Sequence, residues 1–187
     1  MKITSATFAR GVTDDRNMVK DNIVQIAFIG RSNVGKSSLL NALVGNKTLA
    51  RSSSTPGRTQ EANFFLINKK MYFVDLPGYG HAHGSFVKKD ALWTLIEWYL
   101  TSPHLIQQKV VLIIDAKVGM TDDDIYMLGL LEENAKSIVI VANKIDKLTK
   151  NERNKSLAAI KEKAGPYMIL PFSAKKHIGV KELLKLF

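Results

Sequence analysis

Residues 30–37 read Gly30-Arg31-Ser32-Asn33-Val34-Gly35-Lys36-Ser37, the pattern G-x-x-x-x-G-K-[ST]. That pattern suits polyphosphate binding. Its glycines let backbone N–H groups wrap a phosphate, and a helix starting at Lys36 would add positive potential at its N-terminus. Lys36 would reach the outer phosphates. The Ser37 hydroxyl, with Ser38 beside it, would face a magnesium ion. A plain glycine turn before a helix would explain neither Lys36 nor Ser37.

Further polar strings follow in order. Asp75-Leu76-Pro77-Gly78 ends an apolar run. A carboxylate there can hold Mg²⁺ through water, and the Gly78 N–H can meet a γ-phosphate. Alone, the string is a common Pro-Gly turn; after a phosphate loop it means more. Asn143-Lys144-Ile145-Asp146 follows another apolar run. A carboxylate in the plane of a guanine accepts from its N1–H and its amine, whereas adenine offers no such donor pair. The Lys144 stem can cover the base face. Ser173-Ala174-Lys175 comes last, where the Ala174 N–H could meet the guanine O6. Thr55-Pro56-Gly57-Arg58-Thr59-Gln60 lies in a Ser-, Thr- and Pro-rich stretch. A threonine there, Thr59 by preference, could join the Mg²⁺ shell only when a γ-phosphate is present, which would make the loop a switch. An ordinary surface loop is the competing reading.

These strings need elements to hold them. The β-branched run 23–29 predicts a buried strand ending at Gly30, followed by a helix over 36–44. Segments 62–68 and 71–75 predict a hairpin turning around Lys69 and Lys70. A helix over 91–100 carries Trp93 and Trp98, which fit core or partner surface better than a cofactor site. Strands follow at 110–115, 137–141 and 167–172. Thr121 caps a helix with Asp122, Asp123 and Asp124 in its first turn. Thr149 and Glu152 form a capping box opening a helix to Ala164, and 180–187 is a short final helix. Strands alternate with helices, and the apolar strands fit a sheet covered on both faces. The expected fold is therefore a three-layer α/β domain, a P-loop NTPase-type fold. Its six-stranded, mostly parallel sheet would carry one antiparallel edge strand. All of these strings but Thr55–Gln60, which lies between the first helix and the hairpin, then fall at the C-terminal end of a strand, where ligands bind in open α/β sheets.

The 187 residues are 45% apolar and 24% charged, as expected of a single folded domain over 1–187, with 1–20 as an N-terminal extension. No apolar run approaches the length of a membrane span, and 1–15 lacks the apolar core of a signal peptide. With no cysteine, disulfide scaffolds and thiolate metal sites are excluded, and a cytoplasmic location is expected. The net charge is +10. Residues 144–187 hold 11 basic and 4 acidic side chains against 16 and 13 in residues 1–143. Such a field favours a polyanionic partner; a soluble lysine-rich surface is the plain alternative.

The strings GRSNVGKSSLLNAL, TPGRTQ, FVDLPGYG, NKID and FSAKK, in this order, resemble the bacterial EngB (YsxC/YihA) GTPases, of the TrmE–Era class of translation-factor GTPases. The resemblance covers nearly the whole chain. It implies a Ras-like G domain that binds GTP and GDP with Mg²⁺ on Ser37, Thr59 and Asp75. Lys36, Thr59 and Gly78 would then serve hydrolysis. It further implies a role in assembly of the large ribosomal subunit through rRNA, a link to cell division and septation, and a monomer. The catalytic glutamine of Ras-like enzymes is replaced by Tyr79, so slow intrinsic hydrolysis is expected, with help from the ribosome or a cation. Arg58 is a weaker candidate for an arginine finger in cis. In the related TrmE group an asparagine at the place of Asn33 ligates K⁺, so Asn33 carries that expectation. His81 and His83 fit a partner contact better than a metal pair lacking a third ligand. Two other readings stay open: an ATP-using phosphotransferase sharing only the phosphate loop, and a nucleotide-gated scaffold at the division site without a ribosomal role.

Overall fold

The structure, a computed structural model, describes residues 1–14, 21–50, 61–80 and 86–187. Among these residues seven strands form one sheet: β1 (Ala6–Val12), β2 (Val24–Gly30), β3 (Ala62–Ile67), β4 (Met71–Asp75), β5 (Gln107–Asp115), β6 (Ile138–Asn143) and β7 (Ile169–Pro171). Five helices among the same residues accompany them: α1 (Lys36–Val44), α2 (Phe86–Thr101), α3 (Asp122–Glu133), α4 (Lys150–Ala164) and α5 (Val180–Leu184). The strand order is β1-β3-β4-β2-β5-β6-β7. Pairing is parallel from β4 across to β7, while β3 runs antiparallel to both β1 and β4.

Two expectations are corrected here. The sheet has seven strands rather than six, because β1 forms within the segment read as an extension. The single antiparallel strand, β3, is therefore not the edge, since β1 covers it. Asn68 fastens the chain before β1. Its side-chain oxygen accepts from the N–H groups of Thr4 (2.7 Å) and Ser5 (3.1 Å), and its amide donates to the Lys2 carbonyl (2.8 Å). Asn68 and Lys69 both have positive φ, 51° and 56°, in the three-residue connection 68–70 between the paired Ile67 and Met71, where the Lys70 N–H donates to the Ile67 carbonyl (3.0 Å).

Alternation along the central strands builds the three layers. Ala27 and Ile29 of β2, with Leu112 and Ile114 of β5, face a core under α2, α3 and α4 that includes Ile96, Met127 and Ile160. Ile26 and Phe28, with Val111 and Ile113, face the opposite core under α1 and α5, with Leu39, Leu40 and Leu183. Both faces are closed, so the parallel strands end together at one edge, where the loops that matter lie.

Candidate nucleotide site

β2 delivers the chain to Gly30, and α1 begins six residues later at Lys36. Between them Asn33 (φ 67°) and Gly35 (φ 93°) take the left-handed conformation, the kind of alternation that forms anion-binding backbone concavities. Asparagine tolerates that conformation better than most residues. At Gly35 any side chain would be strained, and its Cβ would lie 2.6 Å from the Asn143 amide nitrogen. α1 has no side-chain N-cap and no acidic residue in its first turn, so its own residues place no anion against its opening N–H groups. Ser37 and Ser38 stand in that first turn. Lys36 reaches the neighbouring strand end, its Nζ 2.7 Å from Oδ1 of Asp75, and the pair is largely buried. A hydroxyl (Ser37) and a carboxylate (Asp75) beside a phosphate cradle are the hard oxygen donors that suit Mg²⁺, an ion that keeps several of its waters.

After Asp75 the chain stays tied to β2 and the phosphate loop. Leu76 N–H donates to Phe28 O (3.0 Å), Ser32 N–H to Tyr79 O (2.8 Å), and the Ser32 hydroxyl to Gly78 O (3.2 Å). Pro77 and Gly78 are thus held beside Ser32. Tyr79 is fully buried, its ring stacks on Trp93 with centroids 5.9 Å apart, and its hydroxyl donates to Asp124 (2.7 Å). Burial above all, and then the Asp124 charge, push the phenol well above its usual value. With its hydroxyl engaged on α3 and its ring enclosed, Tyr79 is not placed to orient a water, in keeping with the expectation drawn from the missing glutamine.

On the other side, Asn143 ends β6 and donates its amide to Val34 O (2.9 Å). Lys144, at φ 66°, spans two acceptors with one ammonium: Asn33 O (2.6 Å) and Asp115 Oδ2 (2.7 Å). It is therefore a tether between the loops, beyond the base cover expected of its stem. Asp146 sits in a single 3₁₀ turn, Ile145–Lys147, and one of its oxygens accepts from the buried Ser173 hydroxyl (2.5 Å). That hydroxyl also accepts from Lys176 N–H (3.0 Å). Ala174 is half-buried and Lys175 exposed.

Gly30 to Ser38, Asp75 to Gly78, Asn143, Lys144, Asp146 and Ser173 to Lys175 thus gather at one sheet edge. Gly57, Arg58, Thr59, Gln60, His81 and His83 lie outside the described residues. The side-chain roles of three participants escape a reading of the sequence. Asp115 shows there only as an acidic residue at a strand's C-terminal end. Asp124 shows only as a first-turn acid of α3, although its spacing from Thr121 is that of a capping box. The Arg31 side chain, whose Nε donates to Asp124 (3.2 Å), carries no signal. Among the described residues no helix is long and apolar enough to cross a membrane.

Comparison with known proteins agrees with this geometry. Residues 25–144 match the family described as 50S ribosome-binding GTPase. A probable GTP-binding protein EngB of Clostridium beijerinckii is 44% identical over 162 residues, covering 87% of this chain and 81% of the relative. The EngB protein of Clostridium kluyveri is 42% identical, covering 99% and 95%. Among solved structures, a crystal structure of a probable EngB GTP-binding protein superposes with a TM-score of 0.71 at 26% identity, covering 86% of this chain and 95% of that one. Era in complex with MgGDPNP and nucleotides 1506–1542 of 16S ribosomal RNA follows at 0.67 and 28%, covering 88% of this chain and 55% of that one. A phosphate loop, a carboxylate suited to a guanine edge and relatives of this closeness lead to one assignment: the chain belongs to the EngB family of GTP-binding proteins and is a GTPase.

Proposed function

We propose that this GTPase is a nucleotide switch acting in assembly of the large ribosomal subunit, and that normal cell division and septation depend on it. The observation that carries the reading is the surface of the last quarter of the chain. Lys147, Lys150, Lys155, Lys161, Lys163, Lys175, Lys176, Lys181 and Lys185 are all exposed there, against only three exposed carboxylates, Glu152, Glu162 and Glu182. A surface of this kind releases counterions from a phosphate backbone on binding. The family description supports the same partner, and the structural relative bound to 16S rRNA supports ribosomal RNA as the chemical class without pointing to the large subunit. The protein is proposed to act as a cytoplasmic monomer.

In this reading Gly30 to Ser38 cradle the phosphates of GTP or GDP, and Lys36 exchanges Asp75 for the outer phosphates. Ser37, Asp75 and Thr59 would hold Mg²⁺, which when bound would draw off the charge that grows on the β- and γ-phosphates. Gly78 N–H meets the γ-phosphate, while Gly57, Arg58 and Gln60 belong to the loop that follows it. Asp146 reads the guanine edge with Asn143, Lys144, Ser173, Ala174 and Lys175 around it. Asn33 would hold K⁺, which when bound would supply positive charge beside the phosphates.

The test is binding of the GTP-loaded chain to large subunits or rRNA across a salt series. Replacing Lys175 and Lys176, or Lys147 and Lys150, should weaken binding and flatten its salt dependence, by about 0.9 in slope for each duplex phosphate that is no longer neutralised. GTP affinity should survive at the second pair. Binding that is salt-independent, or untouched by all four changes, would count against an RNA partner for this surface.

A further inference from the structure

Asp124 is fully buried and belongs to none of the strings that mark the nucleotide site. Four donors converge on its carboxylate. The Thr121 N–H (3.0 Å) and hydroxyl (2.9 Å) both reach Oδ2, closing the first turn of α3. That capping arrangement needs only one oxygen. The other two donors come from loops distant in the chain: Arg31 Nε reaches Oδ2 (3.2 Å) and Tyr79 Oη reaches Oδ1 (2.7 Å). Arg31 follows Gly30 in the phosphate loop, and Tyr79 follows Gly78. Their backbones also pair directly, as a parallel bridge between Arg31 and Tyr79. A buried carboxylate cannot give up its partners without leaving an uncompensated charge. Arg31 and Tyr79 are therefore held to one fixed point on a helix that itself lies outside the nucleotide site.

We propose that Asp124 is a positioning residue for GTP hydrolysis. By fixing Tyr79 against Arg31 it sets where the adjoining Gly78 N–H stands relative to the phosphate loop. The residue in place of the catalytic glutamine thus acts as an anchor for the loop rather than as a chemical group. The inference rests on the reading of Gly78 as the γ-phosphate donor. It predicts an effect on nucleotides that carry a γ-phosphate and none on those that lack it.

The experiment uses the full chain and compares affinity for GDP with affinity for a non-hydrolysable GTP analogue, together with kcat and KM for GTP. Asp124→Asn, Tyr79→Phe and Gly78→Ala are measured side by side, with folding checked by circular dichroism and thermal melting. Asp124→Asn should leave GDP affinity nearly unchanged, weaken the GTP analogue on the order of 10-fold, as removal of a charge-assisted hydrogen bond would, and lower kcat. Tyr79→Phe should act in the same direction by less, and the double variant should fall short of the two combined, since one variant weakens and the other removes the same bond. A merely structural role would lower both affinities by one factor. Should Asp124→Asn fail to fold, Tyr79→Phe keeps the ring and its stacking and carries the test. Equal losses for GDP and GTP, or no change in a folded variant while Gly78→Ala does shift the ratio, would overturn the positioning role. If Gly78→Ala leaves the ratio unchanged, the Gly78 reading fails and the proposal falls with it.

Discussion

The phosphate loop is gripped from two sides, and the grips differ in kind. On the base side, Asn143 and Lys144 fasten on backbone carbonyls, Val34 O and Asn33 O. On the γ-phosphate side backbone bonds from Ser32 and the Arg31–Tyr79 bridge also hold the loop, and carboxylates in addition fasten on its cationic side chains, Asp75 on Lys36 and Asp124 on Arg31. Backbone carbonyls stay where the fold puts them, so the base-reading loop sits on a fixed mount. Paired charges in a poorly solvated setting attract strongly but tolerate no half measures, because removing one partner strands the other. That second grip suits a region that must respond to one phosphate more or less. In the proposed reading, base identity and phosphate number are read through separate struts meeting at one loop.

The comparison breaks most visibly at Asp146. Asp146→Asn should weaken GTP by about 10–150-fold, the cost of removing a charge-assisted donor pair, and strengthen xanthosine triphosphate, whose added carbonyl an amide can serve. Titration calorimetry measures both; unchanged GTP affinity would show that Asp146 does not read the base. Next comes Gly35, where the base-side strut meets the loop. Gly35→Ala brings a Cβ to 2.6 Å from the Asn143 amide at a φ of 93°. It should cost about 1–3 kcal/mol and lower the melting temperature by roughly 2–12 °C. An unshifted melt would mean that the base-side strut is softer than argued.

Asn33 sharpens the comparison, because its carbonyl serves the base-side strut while its exposed side chain is the proposed K⁺ ligand. Hydrolysis at constant ionic strength should run faster in KCl than in NaCl or LiCl, and Asn33→Ala should remove that advantage while keeping the Lys144 hydrogen bond to the carbonyl. Without a potassium advantage in the unaltered chain, stimulation must come from a partner surface near Tyr79. The smallest effect lies far from both struts. Burial and the hydrogen bond it donates to Asp21 raise the Tyr72 hydroxyl to about 12. Its folded value is the higher one, so its share of stability is complete below about pH 10 and is lost as pH rises towards 12. Melts across that window should show a shallower fall for Tyr72→Phe, with nucleotide affinity at neutral pH unaltered.

What can be read from residues alone follows the same division. The central strands declare themselves as unbroken apolar runs because both faces of the sheet are covered. The phosphate loop and Asp146 declare themselves because their chemistry demands particular residues at particular spacings. β1 does not: four of its seven residues are exposed, so it shows no alternation, and it is held by backbone pairing and by Asn68, 56 residues beyond its end. α2 starts at Phe86, five residues before the expected start at Ala91, because the charged run Lys88-Lys89-Asp90 carries no apolar period to announce it. Asp124 is hidden for another reason. First-turn acids are common and usually solvated, and only the packing of Tyr79 and Arg31 against α3 shows that this one is buried. Residues that touch the ligand leave a pattern in the chain, whereas residues that hold those residues leave almost none.

The most direct test of the two-strut account is a crossed titration of Asp146→Asn and Tyr79→Phe with GTP analogue, GDP and xanthosine triphosphate. The account predicts that Asp146→Asn changes base preference and leaves the ratio of GTP-analogue to GDP affinity as it was. Tyr79→Phe should lower that ratio and leave base preference as it was. A single variant that moves both quantities would contradict it.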